Sequence, residues 1–365
     1  MKIKNQIVSF VTILAVALMT FSCTNDEPKE VTPLKSIVDI AKSDPANFSI
    51  LIDALKKTGL EATLANSGSY TVFAPTNAAF TAAGVTSASI NALTAPADAT
   101  AISNLRLLLQ NHVITSGIRA DDLLAAGYTR TFAFYRSSPT AITGANLTMF
   151  INKIGNDVLI NGGVANLGAK VTTANIEASN GILHVVDGVI FLPTIVNHLV
   201  ANPAAFSTLL SVVNSTAGTF GDQTAIKNRL VNATNTTATP SLTVFAPSNA
   251  AFTTATATGG YLTGATVTPA NITKILQYHV ATGNLVSSSA TSWTGSTATA
   301  DATISTLATV PNLATFQTFK ITLASVRLTE LPALTVPAST LRTVNIQASN
   351  GVVHIQDRVL QPVLR

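Results

Sequence analysis

Phe48, Leu51, Ile52 and Leu55 recur at the spacing of one helical face, and Gly59 follows as a stop signal. Leu105, Leu108, Leu109 and His112 fall at i, i+3, i+4 and i+7, as do Ile272, Ile275, Leu276 and His279, so both histidines are predicted on the apolar face of a helix. Period-two segments are shorter. Tyr70 to Phe73 reads as a strand stopped by Pro75, which has no N–H for the ladder, and Thr76 or Asn77 is placed to cap the helical turn holding Phe80. Ile151 to Ile154 and Val158 to Ile160 read as strands around a Gly155-Asn156-Asp157 turn, and Asn161-Gly162 and Asn180-Gly181 are further turn signals. After Gly181, Ile182, His184 and Val186 share one strand face while Leu183, Val185 and Asp187 share the other. A regular strand therefore keeps His184 and Asp187 apart.

The pattern occurs twice. Thr71-Val72-Phe73-Ala74-Pro75-Thr76-Asn77-Ala78-Ala79-Phe80 returns as Thr243-Val244-Phe245-Ala246-Pro247-Ser248-Asn249-Ala250-Ala251-Phe252. Leu109-Gln110-Asn111-His112-Val113 is answered by Leu276-Gln277-Tyr278-His279-Val280. Asn175 through Asp187 is answered by Asn345 through Asp357, with Asn180, Gly181, His184 and Asp187 matching Asn350, Gly351, His354 and Asp357. Three blocks in one order define two copies, 37–193 and 195–362, each long enough for its own core. The joint at Leu192-Pro193-Thr194-Ile195 is nearly linkerless, which predicts a restricted relative orientation. The second copy differs by added stretches, Gly221 to Ala238 and Ser287 to Ala302 around the lone Trp293, both read as surface loops or irregular edges.

The N-terminus is read as a processing signal. Lys2 and Lys4 precede an apolar run from Ile7 to Leu18, too short for a comfortable membrane span. Residues 1–22 are therefore assigned as signal peptide and 23–36 as a tether. Leu18 to Cys23 resembles a lipobox, with Thr20 and Phe21 departing from its commonest form. Cys23 is the sole cysteine, so no internal disulfide competes for it, and lipidation there predicts an exported protein held at the outer membrane or cell surface.

Composition narrows the function. Charged residues are only 10% against 47% hydrophobic, and without Lys2 and Lys4 the formal charge falls from +4 to +2. No Lys/Arg stripe could neutralise a run of phosphates, which excludes nucleic-acid binding. Zinc-protease, paired-cysteine, phosphate-loop, dinucleotide and nucleophile-elbow motifs are absent, and the five histidines are not spaced as metal ligands. No catalytic residue, metal or cofactor is predicted.

The repeated blocks resemble the fasciclin domain family. Phe73, Pro75, Asn77 and Phe80, with Phe245, Pro247, Asn249 and Phe252, look like its first signature. Asn180, Gly181, His184 and Asp187, with Asn350, Gly351, His354 and Asp357, look like its second. Tyr278-His279 keeps the family's Tyr-His motif, whereas the first copy has Asn111-His112. The resemblance implies an α+β domain, a β-sandwich or wedge with packed helices, whose motif residues are mainly structural. It implies adhesion or binding to matrix, polysaccharide or neighbouring cells, with an accessory envelope lipoprotein as the alternative. The integrin link of the animal Tyr-His region does not carry over, because the first copy lacks the tyrosine.

Overall fold

A computed structural model describes residues 33–123, 126–136, 144–233, 240–258, 260–264, 267–286, 302–309, 315–322, 327–330 and 338–364. Cys23, Trp293 and the Asn235 to Ala238 stretch lie outside the described residues. Among the described residues no helix is long and apolar enough to cross a membrane.

The first copy opens with α1 (Ile37–Ser43), α2 (Pro45–Thr58) and α3 (Leu60–Ala65). Asp44 caps α2 with Pro45 at its first turn, and Gly59 ends it in the left-handed conformation, as the sequence pattern required. Strand β1 (Tyr70–Pro75) leads into α4 (Asn77–Ala82), α5 (Ser87–Ala92) and α6 (Ala99–Gln110). Six strands follow: β2 (Val113–Ile114), β3 (Ala126–Phe134), β4 (Asn146–Ile154), β5 (Asp157–Ile160), β6 (Ala169–Ala178) and β7 (Gly181–Val186). They form one seven-stranded sheet in the order β2-β1-β7-β6-β5-β4-β3. The two signature strands, over a hundred residues apart in sequence, lie side by side: β1 pairs in parallel with β7, Phe73 opposite His184.

The second copy repeats this plan with α7 (Ile195–Ala201), α8 (Pro203–Val213), α9 (Thr224–Asn232), β8 (Leu242–Pro247), α10 (Asn249–Thr256) and α11 (Pro269–Tyr278). Strands β9 (Val280–Thr282), β10 (Ala302–Thr309), β11 (Phe316–Thr322), β12 (Arg327–Glu330), β13 (Ser339–Ala348) and β14 (Gly351–Gln356) complete it. Here the sheet closes into a barrel, and β14 pairs in parallel with β8. Each copy is thus α+β, a near-barrel sheet with helices packed on it. The helices bury their apolar faces on one side, with Phe206, Val244, Phe252 and Ile275 in the second core and Phe48, Leu51, Phe80 and Leu109 in the first.

Two readings change, and one open choice is settled. The stretch from Gly221 onward is not a plain loop, because Ile226 and Leu230 are buried one turn apart on α9. This helix takes the place of α3, whose Leu60 and Leu64 have the same spacing and burial. Helix α6 ends at Gln110 and α11 at Tyr278, so each motif histidine stands just beyond a helix end, not within the helix. Thr76, not Asn77, caps α4, by accepting from Ala79 N.

The joint between the copies is packed. Tyr128 of β3 sits between Phe150 of its own sheet, ring centroids 4.8 Å apart, and His198 of α7, 5.7 Å away. The Gln347 N–H of β13 donates to Thr148 Oγ1 of β4 at 3.0 Å, and Asn166 and Asn197 exchange amide hydrogen bonds across the boundary. Burial pushes the Tyr128 hydroxyl pKa up to about 12. We expect Tyr128→Ala to cost about 3 kcal/mol through the cavity it leaves. Hydrogen exchange should report the loss as faster opening of α7 and β4 while β1 and β7 stay protected.

Candidate functional site

The motif side chains form four hydrogen-bonded stations, each built twice. Asn77 stands at the start of α4 and faces the first turn of α2. Its Oδ1 accepts from Ile50 N at 2.9 Å, and its Nδ2 donates to Ala46 O at 2.9 Å and Ser49 Oγ at 3.0 Å. Asn249 does the same with Thr208 N, Ala204 O and Ser207 Oγ. Asparagine suits the position because one amide supplies both donors and an acceptor. Asn77→Ala or Asn249→Ala should each cost about 2 kcal/mol, because backbone groups at the helix start lose their partners. A fall in the urea midpoint with unchanged slope would register this.

The second station is the buried pair of histidines after α6 and α11. His112 Nδ1 donates to Leu108 O at 2.8 Å, and its Nε2 accepts from Ile190 N at 2.9 Å. His279 repeats both bonds, with Ile275 O at 2.7 Å and Leu360 N at 2.9 Å. Neutral imidazole supplies one donor and one acceptor, which is what this bridge from helix end to C-terminal segment needs. Burial drives both pKa values down to about 4, against a small opposing pull from the helix carbonyl. Each ring is therefore neutral, with both nitrogens occupied.

The neighbouring residue explains how the first copy does without tyrosine. Tyr278 is buried, donates through its hydroxyl to Thr318 O at 2.8 Å and meets Phe319 edge-on. Asn111 instead donates to Ile190 O and Phe191 O and accepts from Thr131 Oγ1. Both ties anchor the helix end, by different routes.

The third station is the histidine on the C-terminal strand. His184 stacks on Phe73 with ring centroids 5.5 Å apart, and His354 stacks on Phe245 at 5.3 Å. Their Nε2 atoms donate to Ile118 O and Leu285 O, and their Nδ1 atoms accept from Asn175 N and Asn345 N. Those two asparagines carry positive φ, 62° and 60°, in bulged stretches of β6 and β13. Burial lowers the His184 pKa and brings that of His354 to about 4. Asp187 and Asp357 face other partners: each carboxylate accepts a backbone N–H, from Lys170 and Thr340, across the strand pair. No histidine–aspartate dyad forms.

The fourth station is Asn180-Gly181 and Asn350-Gly351. Asn180 Oδ1 accepts from Ile37 N and its Nδ2 donates to Leu64 O, which ties the first helix to the turn. Asn350 ties Ile195 N and Leu230 O in the same way. Only the glycine of each pair needs its special backbone, with φ of 148° at Gly181 and 153° at Gly351. Pro75 and Pro247 close the parallel strand pairs opposite Val186 and Gln356, and Phe80 and Phe252 fill the helical cores.

The motif residues therefore do not converge on one cleft, and among the described residues no group of three metal-ligating side chains exists. Sequence reasoning missed Thr71 and Thr243, which tie β1 and β8 to the following loops through Ser116 O and Gly283 O. Their recurrence within the duplicated blocks was the available signal. It also missed the joint residues: Tyr128 and Thr148 lie outside the repeated blocks, and Gln347 stands where the first copy has Glu177.

A fasciclin domain model matches residues 46–193 and 205–362. The Synechocystis protein sll1483 is 28% identical over 204 residues, covering 53% of this chain and 99% of that protein. Pig transforming growth factor-beta-induced protein ig-h3 is 29% identical over 164 residues, or 44% of this chain. That match spans 20% of the length of ig-h3. Among solved structures, the FAS1 domain pair of the insect cell adhesion molecule Fasciclin I aligns with a TM-score of 0.44 at 15% identity, covering 89% of this chain and 96% of that one. The two matched segments together cover most of the chain and carry the four repeated stations: the chain belongs to the fasciclin domain family, with two domains in tandem.

Proposed function

We propose that this chain is an exported adhesion module, held at the outer membrane or cell surface by lipid on Cys23, whose domain pair binds extracellular polysaccharide, matrix or a neighbouring cell. Fasciclin domains are non-catalytic, and a general role in adhesion or protein contact follows from membership of the family. The observation that carries the reading is that the motif side chains are engaged inside the domains. What remains for a ligand is the outer surface of two domains coupled through Tyr128, His198, Thr148 and Gln347. The low charge of that surface suits neutral glycans bound through hydroxyl and amide groups.

An accessory envelope lipoprotein working through protein contacts is the second reading. Val164, Leu167, Phe191 and Val200 favour it, since all four are exposed near the joint. A soluble form with Cys23→Ser, applied to intact cells and to a polysaccharide panel, separates the two. Saturable retention on polysaccharide or cells supports adhesion. Cross-linking to one envelope protein with no glycan retention supports the second reading, and neither result sinks both.

A further inference from the structure

We propose that the second domain holds the end of an aliphatic chain, the tail of a fatty acyl group, in an apolar cavity between α8, α10 and α11. The cavity measures about 90 Å³ and is walled by Val212, Phe252, Leu262, Ile272 and Ile275. Two of its three polar side chains are already engaged. His279 uses both ring nitrogens on backbone, and the Thr256 hydroxyl donates to Phe252 O. The half-buried Thr208 hydroxyl is the one further side-chain polar group on an otherwise apolar wall, so the buried part of a ligand is chiefly hydrocarbon.

The duplication shows that the domain does not need this space. Ile50 and Thr208 occupy equivalent positions, since each donates its N–H to the asparagine that opens the following signature helix. The first copy therefore has a large apolar side chain where the second has a threonine. The first copy also lays α5 against α2, burying Ile90 and holding the helix end through Lys57 Nζ to Leu93 O at 2.8 Å. Among the described residues between α10 and α11 there is no α-helix. Val212 in place of Ala54 narrows the gap without closing it.

Size and access select the ligand. An apolar cavity of roughly 150 Å³ accepts a benzene ring, and this one is smaller, which favours a flexible chain over a ring. Thr256 is exposed and Phe220 and Val267 are half-buried, so the lining reaches the surface. A chain can enter end-on and leave its polar head in water. The occupant is the tail of a separate lipid, whose head stays in water.

The test is fluorescence of cis-parinaric acid added to the exported chain carrying Cys23→Ser. Saturable binding near one probe per chain is expected, weakened at least tenfold by Thr208→Ile and by Val212→Phe. Thr208→Ile installs the first copy's own residue and should fold, which circular dichroism and the melting temperature verify. The lipidated protein should bind the probe equally well, and loss of binding there would count against a separate lipid. No saturable binding, binding unchanged in both folded variants, or a melting temperature raised by benzene and not by decanoate would overturn the proposal. The inference is independent of the adhesion reading, because cell retention is measured without the probe.

Discussion

Lowering the pH from 7 to 5 is expected to remove a large share of the folding stability of the second domain. His198, His279 and His354 are buried there with pKa values pushed down to about 4, and His112 is held alike in the first domain. Burial opposes the imidazolium, so the folded rings stay neutral, while the unfolded chain takes up a proton on each near its ordinary value of about 6.5. The unfolded state then binds more protons than the folded state below that pH, and stability falls as pH falls. The loss begins near pH 6.5 and levels off only below about pH 4. At pH 5 each ring costs about 2 kcal/mol, or about 6 kcal/mol for the three in the second domain, against roughly 5–15 kcal/mol for a whole domain. Urea midpoints should be flat between pH 8 and 7 and drop steeply below pH 6.5, the second domain unfolding first. A midpoint unchanged down to pH 4.5 would show that these rings are not held neutral.

Gly351→Ala should be the most damaging single substitution among the motif residues. A methyl there would overlap the Leu242 carbonyl oxygen and lie 2.9 Å from the Leu242 nitrogen, at a φ of 153° that side chains avoid. Leu242 begins the strand that pairs in parallel with Gly351, so relief requires parting β8 from β14. The backbone strain alone is worth about 1–3 kcal/mol, and separating the strands raises the expected loss to about 3–5 kcal/mol. Gly181→Ala meets the same obstacle at Tyr70 and should destabilise the first domain similarly. Thermal melts of both variants check this. A loss below 1 kcal/mol at either position would mean the parallel strands are not pinned there.

Much of the fold was legible because the duplication repeats each block with its physical reason intact. Helical spacing placed Phe48, Leu51, Leu105 and Leu109, and alternation after Gly181 separated His184 from Asp187. Distances in sequence hid the rest. Nothing in Asn77 or Asn180 announces the helices they hold, because their partners Ala46 and Ile37 are reached only after folding. Gly221 to Ala238 read as a loop because its polar residues outnumber its apolar ones, among them the buried Ile226 and Leu230 that make part of it a helix. The joint was foreseeable only as a short linker: Tyr128 and His198 are unremarkable in sequence and meet across the domain boundary.

The central claim is that the repeated motif builds the domains and that binding belongs to their outer surface. Tyr278→Phe tests it most directly, because it removes the motif hydroxyl and its bond to Thr318 O while leaving the ring against Phe319. The measurement is saturable retention of the soluble Cys23→Ser chain on intact cells, with and without Tyr278→Phe, at a temperature where both are folded. Retention of both chains with affinities within about twofold is the predicted result. Loss of retention by Tyr278→Phe at an unchanged melting temperature would contradict the claim and place the motif itself in the binding site.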